Sequence, residues 1–185
     1  GSEMCIRDSD NTKKLKFLNF LCNIYLTVIR GTPVVVQLLI IYFVIFSSVR
    51  IDKSFAAILA FGINSGAYQA EIFRSGINSV PKGQMEAGRS LGFSYPQTMI
   101  TIIMPQAIKN ILPTLANEFI VLMKETSVAS YIALDDLTKA GDVIRSKTYS
   151  AMMPFLAVAL LYLIMVMLFS YLVKLLERRL ARSGR

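Results

Sequence analysis

Long apolar runs separated by short charged segments constrain this chain more than any other feature. A helix crosses the hydrocarbon core of a bilayer in about 20 residues. In lipid, every backbone polar group must be satisfied within the span, which leaves only helices or closed barrels. Four runs meet or approach that length: Pro33–Val49, Ser54–Val80, Gln106–Met123 and Met152–Val173. Hydrophobic residues make up 54% of the chain and charged residues only 17%. The fold expected is therefore all-α, a polytopic membrane helix bundle of four spans. No linker, low-complexity tract or internal repeat divides residues 10–182, so they read as one domain. Residues 1–9 (GSEMCIRDS) fit neither a signal peptide nor a helix and are read as non-native.

The net charge of +8 would point to nucleic acid in a soluble protein. Here the cations flank apolar runs, so membrane topology explains them and no nucleic-acid partner is expected. Lys13, Lys14, Lys16 and Arg30 face a single acid, Asp10. Lys82, Arg89 and Lys109 face Glu86 alone, and Lys174, Arg178, Arg179, Arg182 and Arg185 face Glu177. Between Lys124 and Ser150, four cations meet four acids. The basic segments alternate with the neutral one. The N-terminus, the 81–105 loop and the C-terminus are therefore expected in the cytoplasm, and the 124–150 segment outside. That outer segment carries Leu137, Ala140, Val143 and Ile144 at helical spacing and reads as a short surface helix.

Several chemistries lack their materials. The chain has no His, and Cys5 and Cys22 lack metal-ligand spacing, so no metal site is expected. There is no GxxxxGK[ST] phosphate loop and no nucleophile–base pair, so no catalytic residue and no cofactor are assigned.

Helix signals are strongest around the cytoplasmic loop. Pro33 suits a first helical position, with Thr32 before it as a cap. Pro81 starts a short helix that runs to Leu91, and Gly92 can end it in a left-handed conformation. A second helix begins at the capping box Ser94-x-x-Gln97 and ends at Pro105.

Within that loop, Glu86-Ala87-Gly88, three residues, Gly92, nine residues and Ile102-Ile103-Met104-Pro105 resemble the EAA signature of ATP-binding-cassette importer permeases. That signature reads EAA, three residues, G, nine residues, I-x-L-P. Gly88 departs from its second Ala and Met104 from its Leu. Three further motifs follow the same order as in the polar amino-acid permeases of the histidine, glutamine and arginine type. They are Arg30-Gly31-Thr32-Pro33 with Gln37-Leu38, Asn64-Ser65-Gly66-Ala67-Tyr68 with Ala70-Glu71-Ile72-Phe73-Arg74, and Lys124-Glu125-Thr126-Ser127.

The resemblance implies a multi-pass subunit of a bacterial inner membrane that moves a polar amino acid inward. ATP would be bound and hydrolysed by a separate ATPase subunit, making this chain no enzyme. Glu86, Ala87, Gly88, Leu91 and Gly92 would enter a cleft of that ATPase. The other partners implied are a second permease copy or a paralogue and an extracytoplasmic solute-binding protein. The family has five spans with its N-terminus outside. The first span is therefore expected to be missing, with Phe17–Ile29 as the remnant of the loop after it.

Polar residues within the spans outline a candidate pathway. In the second run, Gly62, Gly66 and Ala70 form a small-residue stripe expected to pack against a neighbouring helix. Asn64, Tyr68, Glu71 and Ser75 fall nearly opposite. An ionisable residue inside a span faces a cavity or a partner, which makes Asn64, Tyr68 and Glu71 translocation candidates. Glu71 also has a plainer reading as an intrahelical partner of Arg74. The third run adds Asn117 and Glu118, with Pro113 as a kink, although hydrogen-bonded glue between helices accounts for Asn117 equally well. Alternatives to a transport subunit are a secondary transporter, a membrane enzyme and a non-transporting membrane scaffold. The first lacks internal repeats and coupling-ion sites, the second lacks chemistry, and the third leaves the polar faces unexplained.

Overall fold

The computed structural model describes residues 13–49 and 51–182. The 1–9 segment read as non-native lies outside the described residues. Within them the chain is helical, with no strand. It starts with α1 (Lys13–Gly31) and α2 (Val34–Ile40), which widens into a π turn over Ile41–Ile45. The long α3 (Lys53–Asn78) follows, then the short α4 (Lys82–Ser90) and α5 (Tyr95–Thr98). A π turn over Met99–Ile103 leads into α6 (Met104–Glu125), and a 3-10 segment covers Thr126–Ile132. Last come α7 (Leu137–Thr148) and α8 (Met152–Arg182).

Among the described residues two helices are long and apolar enough to cross a membrane, Tyr95–Ile132 and Met152–Arg179. A third candidate is α1 together with Val34–Ile45, which passes only as a pair and bends by 106° between its halves. Two to three candidate spans among the described residues thus stand where four were expected. The second run falls short on polarity rather than length: α3 has 26 residues, but Asn64, Ser65, Gln69, Glu71 and Arg74 dilute its apolar stretch.

Several local expectations change. Residues 17–29 are helix, not the remnant of a loop. Apolar side chains recur through Phe17, Phe20, Leu21, Ile24, Tyr25 and Val28 at helical spacing, and they face outward. Thr32 is not the cap of α2. Pro33 is, with extended ψ of 137°, while the Thr32 hydroxyl donates to the Val28 carbonyl and so closes α1. Pro105 does not end a helix either. The Met104 N–H reaches five residues back to the Met99 carbonyl. The turn is already wide where the proline ring and its missing N–H arrive, so the helix continues.

The small-residue stripe of α3 lies outside the core of this chain. Gly62, Gly66 and Ala70 are exposed in this chain. The packed face instead carries Ala56, Ala57, Ala60 and Phe61, which join Leu38 of α2, Ile41 of the π turn, and Ala129 and Ile132 in one core cluster, with Ala67 also buried. Small residues lie on more than one face of α3, and spacing alone does not tell which face meets a neighbour. A second cluster, Val80, Ile103, Ala107 and Ile111, joins the far end of α3 to α6. At its centre Gly76 lies against Ile111. A Cβ there would sit 2.1 Å from Ile111 Cγ1. The short helix expected in the 124–150 segment forms over α7, capped by the Asp136 carboxylate accepting from the Lys139 N–H.

Gly76→Ala gains about 1 kcal/mol in helix propensity, but overpacking at such a contact costs about 1–3 kcal/mol. Gly76→Ala and more so Gly76→Val are expected to lower the unfolding midpoint in detergent. Gly83→Ala, with nothing within 4 Å of its added methyl, is expected to hold or raise it.

A candidate coupling and translocation site

The site has two parts, joined by α3 and α6. The first is the loop at one end of the bundle. Pro81 caps α4 in an extended conformation. Gly92 ends the turn at φ +87°, the left-handed region where glycine is favoured. The capping box forms, with the Gln97 Oε1 accepting from the Ser94 N–H at 2.9 Å and from the Ser94 hydroxyl at 2.8 Å. Gly88 turns inward. A Cβ on it would fall 2.4 Å from Thr98 Cγ2 and 3.0 Å from Ile102 Cδ1, and Thr98 is fully buried beneath it. The glycine therefore seats α4 on its own chain and is not offered to another surface.

The outward face of α4 is different. Glu86 and Ala87 are exposed, and Leu91 is 76% exposed. The Glu86 carboxylate makes no hydrogen bond or ion pair among the described residues. Beneath this helix, Tyr95–Ile132 runs as one 38-residue helix. A bilayer would take up about 20 of those residues, fewer than the helix holds.

The second part lies where α1, α2 and α3 meet. Gln37 is an amide in an otherwise apolar run, and it is 8% exposed. Its Nε2 lies 2.7 Å from the Ile29 carbonyl, 3.1 Å from the Thr32 carbonyl and 2.7 Å from Thr32 Oγ1. Its Oε1 accepts from Asn64 Nδ2 at 3.1 Å. Asn64, 3% exposed, is thus packed inside and braces α3 against α2. One to two turns further on, Arg30 Nη1 sits 3.3 Å from Glu71 Oε2, with its guanidinium 5.6 Å from the centre of the Tyr68 ring. Arg74 Nη1 approaches the same carboxylate oxygen at 3.9 Å. Tyr68 and Glu71 are half-buried.

On α6, Asn117 is exposed and Glu118 half-buried. Pro113 lies within a helix that continues past it. Asn110 Nδ2 donates to Ser79 Oγ at 2.8 Å, tying α6 to the end of α3. Among the described residues no group of His, Cys, Asp and Glu could hold a metal ion. Sequence reasoning quoted Arg30 and Gln37 within motifs but gave neither a role. The available signals were an amide alone in an apolar run and a cation at a helix end.

Comparison with known proteins agrees with this architecture. Residues 11–182 match the family model described as the binding-protein-dependent transport system inner membrane component. The chain is 41% identical to the glutamine transport system permease protein GlnP of Escherichia coli K12, over 88% of this chain and 75% of that protein. It is 38% identical to the arginine transport system permease protein ArtQ of Bacillus subtilis, over 87% and 74%. A solved structure, an amino acid ABC transporter with histidines, is 45% identical with a TM-score of 0.83, covering 92% of this chain and 79% of that one.

The Gln37 network predicts a coupled energetic cost. Asn64→Leu strands one buried acceptor, and Gln37→Leu strands two carbonyls and the Asn64 amide. Each single change is expected to cost about 1 kcal/mol, a typical value for hydrogen bonds between membrane helices, with Gln37→Leu the larger. The double variant should lose less than the sum of the two in unfolding by denaturant in micelles.

Proposed function

This chain belongs to the polar amino-acid permeases of binding-protein-dependent transport systems, an inner-membrane family of permease subunits rather than enzymes, and on that premise we propose that it moves a polar amino acid into the cell. It couples to a separate ATPase through α4. ATP is bound by that partner, and this chain carries no cofactor. The observation that carries the reading is the arrangement of α4. One side is clamped by Gly88 onto the helix that enters the membrane, and the other presents an unpaired Glu86 with an exposed Leu91.

The mechanism follows from this geometry. Glu86 offers a carboxylate to a partner arginine or backbone N–H, and Leu91 offers an apolar anchor. Ala87 lets the surfaces approach, Gly88 holds α4 on its own chain, and Gly92 makes the turn. Closure of the ATPases displaces α4. Because α4 and the Tyr95–Ile132 helix are in close contact, the motion passes into the membrane as a rigid lever.

In the four-span reading, α3 crosses the bilayer despite its polarity because its polar groups are partnered: Asn64 by Gln37 and Glu71 by Arg30. Tyr68, Glu71, Asn117 and Glu118 line the route, with Asn64 bracing it from behind. The N-terminus, α4 and the C-terminus lie on the cytoplasmic side. The exposed Gly62, Gly66 and Ala70 stripe receives a second permease, a copy or a paralogue. The segment around α7 faces an extracytoplasmic binding protein.

Glu86→Lys is expected to abolish co-purification with the ATPase subunit and to abolish uptake. Since Glu86 is exposed and unpaired, the unfolding midpoint should stay within about 0.5 kcal/mol of wild type. A Glu86→Lys complex that assembles and transports normally would sink the coupling assignment.

A further inference from the structure

Three ionisable side chains gather on the exposed side of α3, in the last two turns before the coupling helix. Arg30, Glu71 and Arg74 are 40%, 33% and 52% exposed. Charged groups in a membrane helix turn to water or protein and not to lipid, so this face borders a wet space or a partner. The charges do not balance: two guanidinium groups meet one carboxylate. Nor are their hydrogen-bonding groups used up. Both arginines make their closest approach to the same oxygen, Glu71 Oε2, while Oε1 makes no hydrogen bond among the described residues. Each guanidinium carries five N–H donors in a planar fork. Arg30 commits one Nη to Glu71 and its face to Tyr68. Arg74 is held only at 3.9 Å.

Vacant guanidinium donors beside a vacant carboxylate oxygen complement a zwitterion. Resting on the amino-acid importer reading, we infer that Arg74 and Arg30 receive the substrate's α-carboxylate and that Glu71 Oε1 receives its α-ammonium. Carboxylates bind guanidinium through paired N–H···O bonds, and Tyr68 holds the Arg30 plane in place for this. The cluster thus reads the backbone common to amino acids and leaves the side chain unread. Glu71 on this account is no selector for cationic side chains, because its nearer charges are already arginines. The site sits directly above the Ser79–Pro81 connection to α4, where displacement of the coupling helix reaches it first.

The test uses the permease–ATPase complex in nanodiscs without binding protein, measuring displacement of radiolabelled glutamine. The competitors are glutamine, its α-amide lacking the carboxylate charge, and its des-amino analogue. Wild type should prefer glutamine over either analogue at least tenfold. Arg74→Gln should reduce the preference over the α-amide to about threefold or less and keep that over the des-amino analogue. Arg74→Lys should restore much of it. Glu71→Gln should do the reverse, losing only the preference over the des-amino analogue. Co-purification with the ATPase subunit reports that each variant is folded. Losses that are not matched to chemistry in this way, or a wild-type complex that imports glutamine with its binding protein yet shows no preference here, overturn the inference and leave the importer reading standing. A wild-type complex that imports no amino acid at all overturns the importer reading and the inference with it.

Discussion

The Gln37 side chain is the interaction on which the arrangement of the first half rests. At the break between α1 and α2, helix ends leave carbonyls without intrahelical donors. Pro33 cannot supply one, and in an apolar setting such groups are costly to leave bare. Gln37 reaches back and donates to the Ile29 and Thr32 carbonyls. Its oxygen then binds Asn64 of α3. A single amide thereby permits the 106° bend and ties it to the helix that carries Glu71. Arg30, the residue before the break, is held over Tyr68 and against Glu71 as a result.

From that anchor, close backbone approach carries position along the chain. Gly76 lets α3 lie on Ile111 of α6, and Gly88 lets α4 lie on Thr98 and Ile102. Both contacts involve the same long helix, Tyr95–Ile132. Well-packed contacts of this kind transmit displacement rather than absorb it. The charged cluster on α3 and the exposed carboxylate of Glu86 are therefore mechanically linked through one element, without any direct contact between them.

The two π turns serve the same economy. At Met99–Ile103 the widened turn admits Pro105 without breaking the helix. A break at that position would have separated α4 and its packing partners Thr98 and Ile102 from the rest of the long Tyr95–Ile132 helix. At Ile41–Ile45 the widened turn leads from α2 to Phe46, which packs against the core cluster and meets the Phe55 ring edge to face.

Much was legible in the sequence because it depends on local chemistry. Apolar run length determined a helical membrane protein. Proline and glycine positions from Pro81 to Pro105 located the loop that carries α4, Gly92 determined its left-handed turn, and Ser94 with Gln97 determined the start of the next helix. Which face of α3 packs was left to the tertiary structure, because Gly62, Gly66 and Ala70 look as suitable as Ala56, Ala60 and Ala67 until the neighbours are present. The same holds for Asn64, polar by composition but interior by partnership with Gln37, and for Gly88, small enough to meet a partner yet seated on Thr98. Glu71 shows the limit most clearly. Residue spacing determined its nearness to Arg74, three positions on. The shorter contact is to Arg30, which is 41 positions earlier and is brought there only by the bend after α1. Periodicity records which residues share a helix face, while pairing between distant helices depends on where the chain turns.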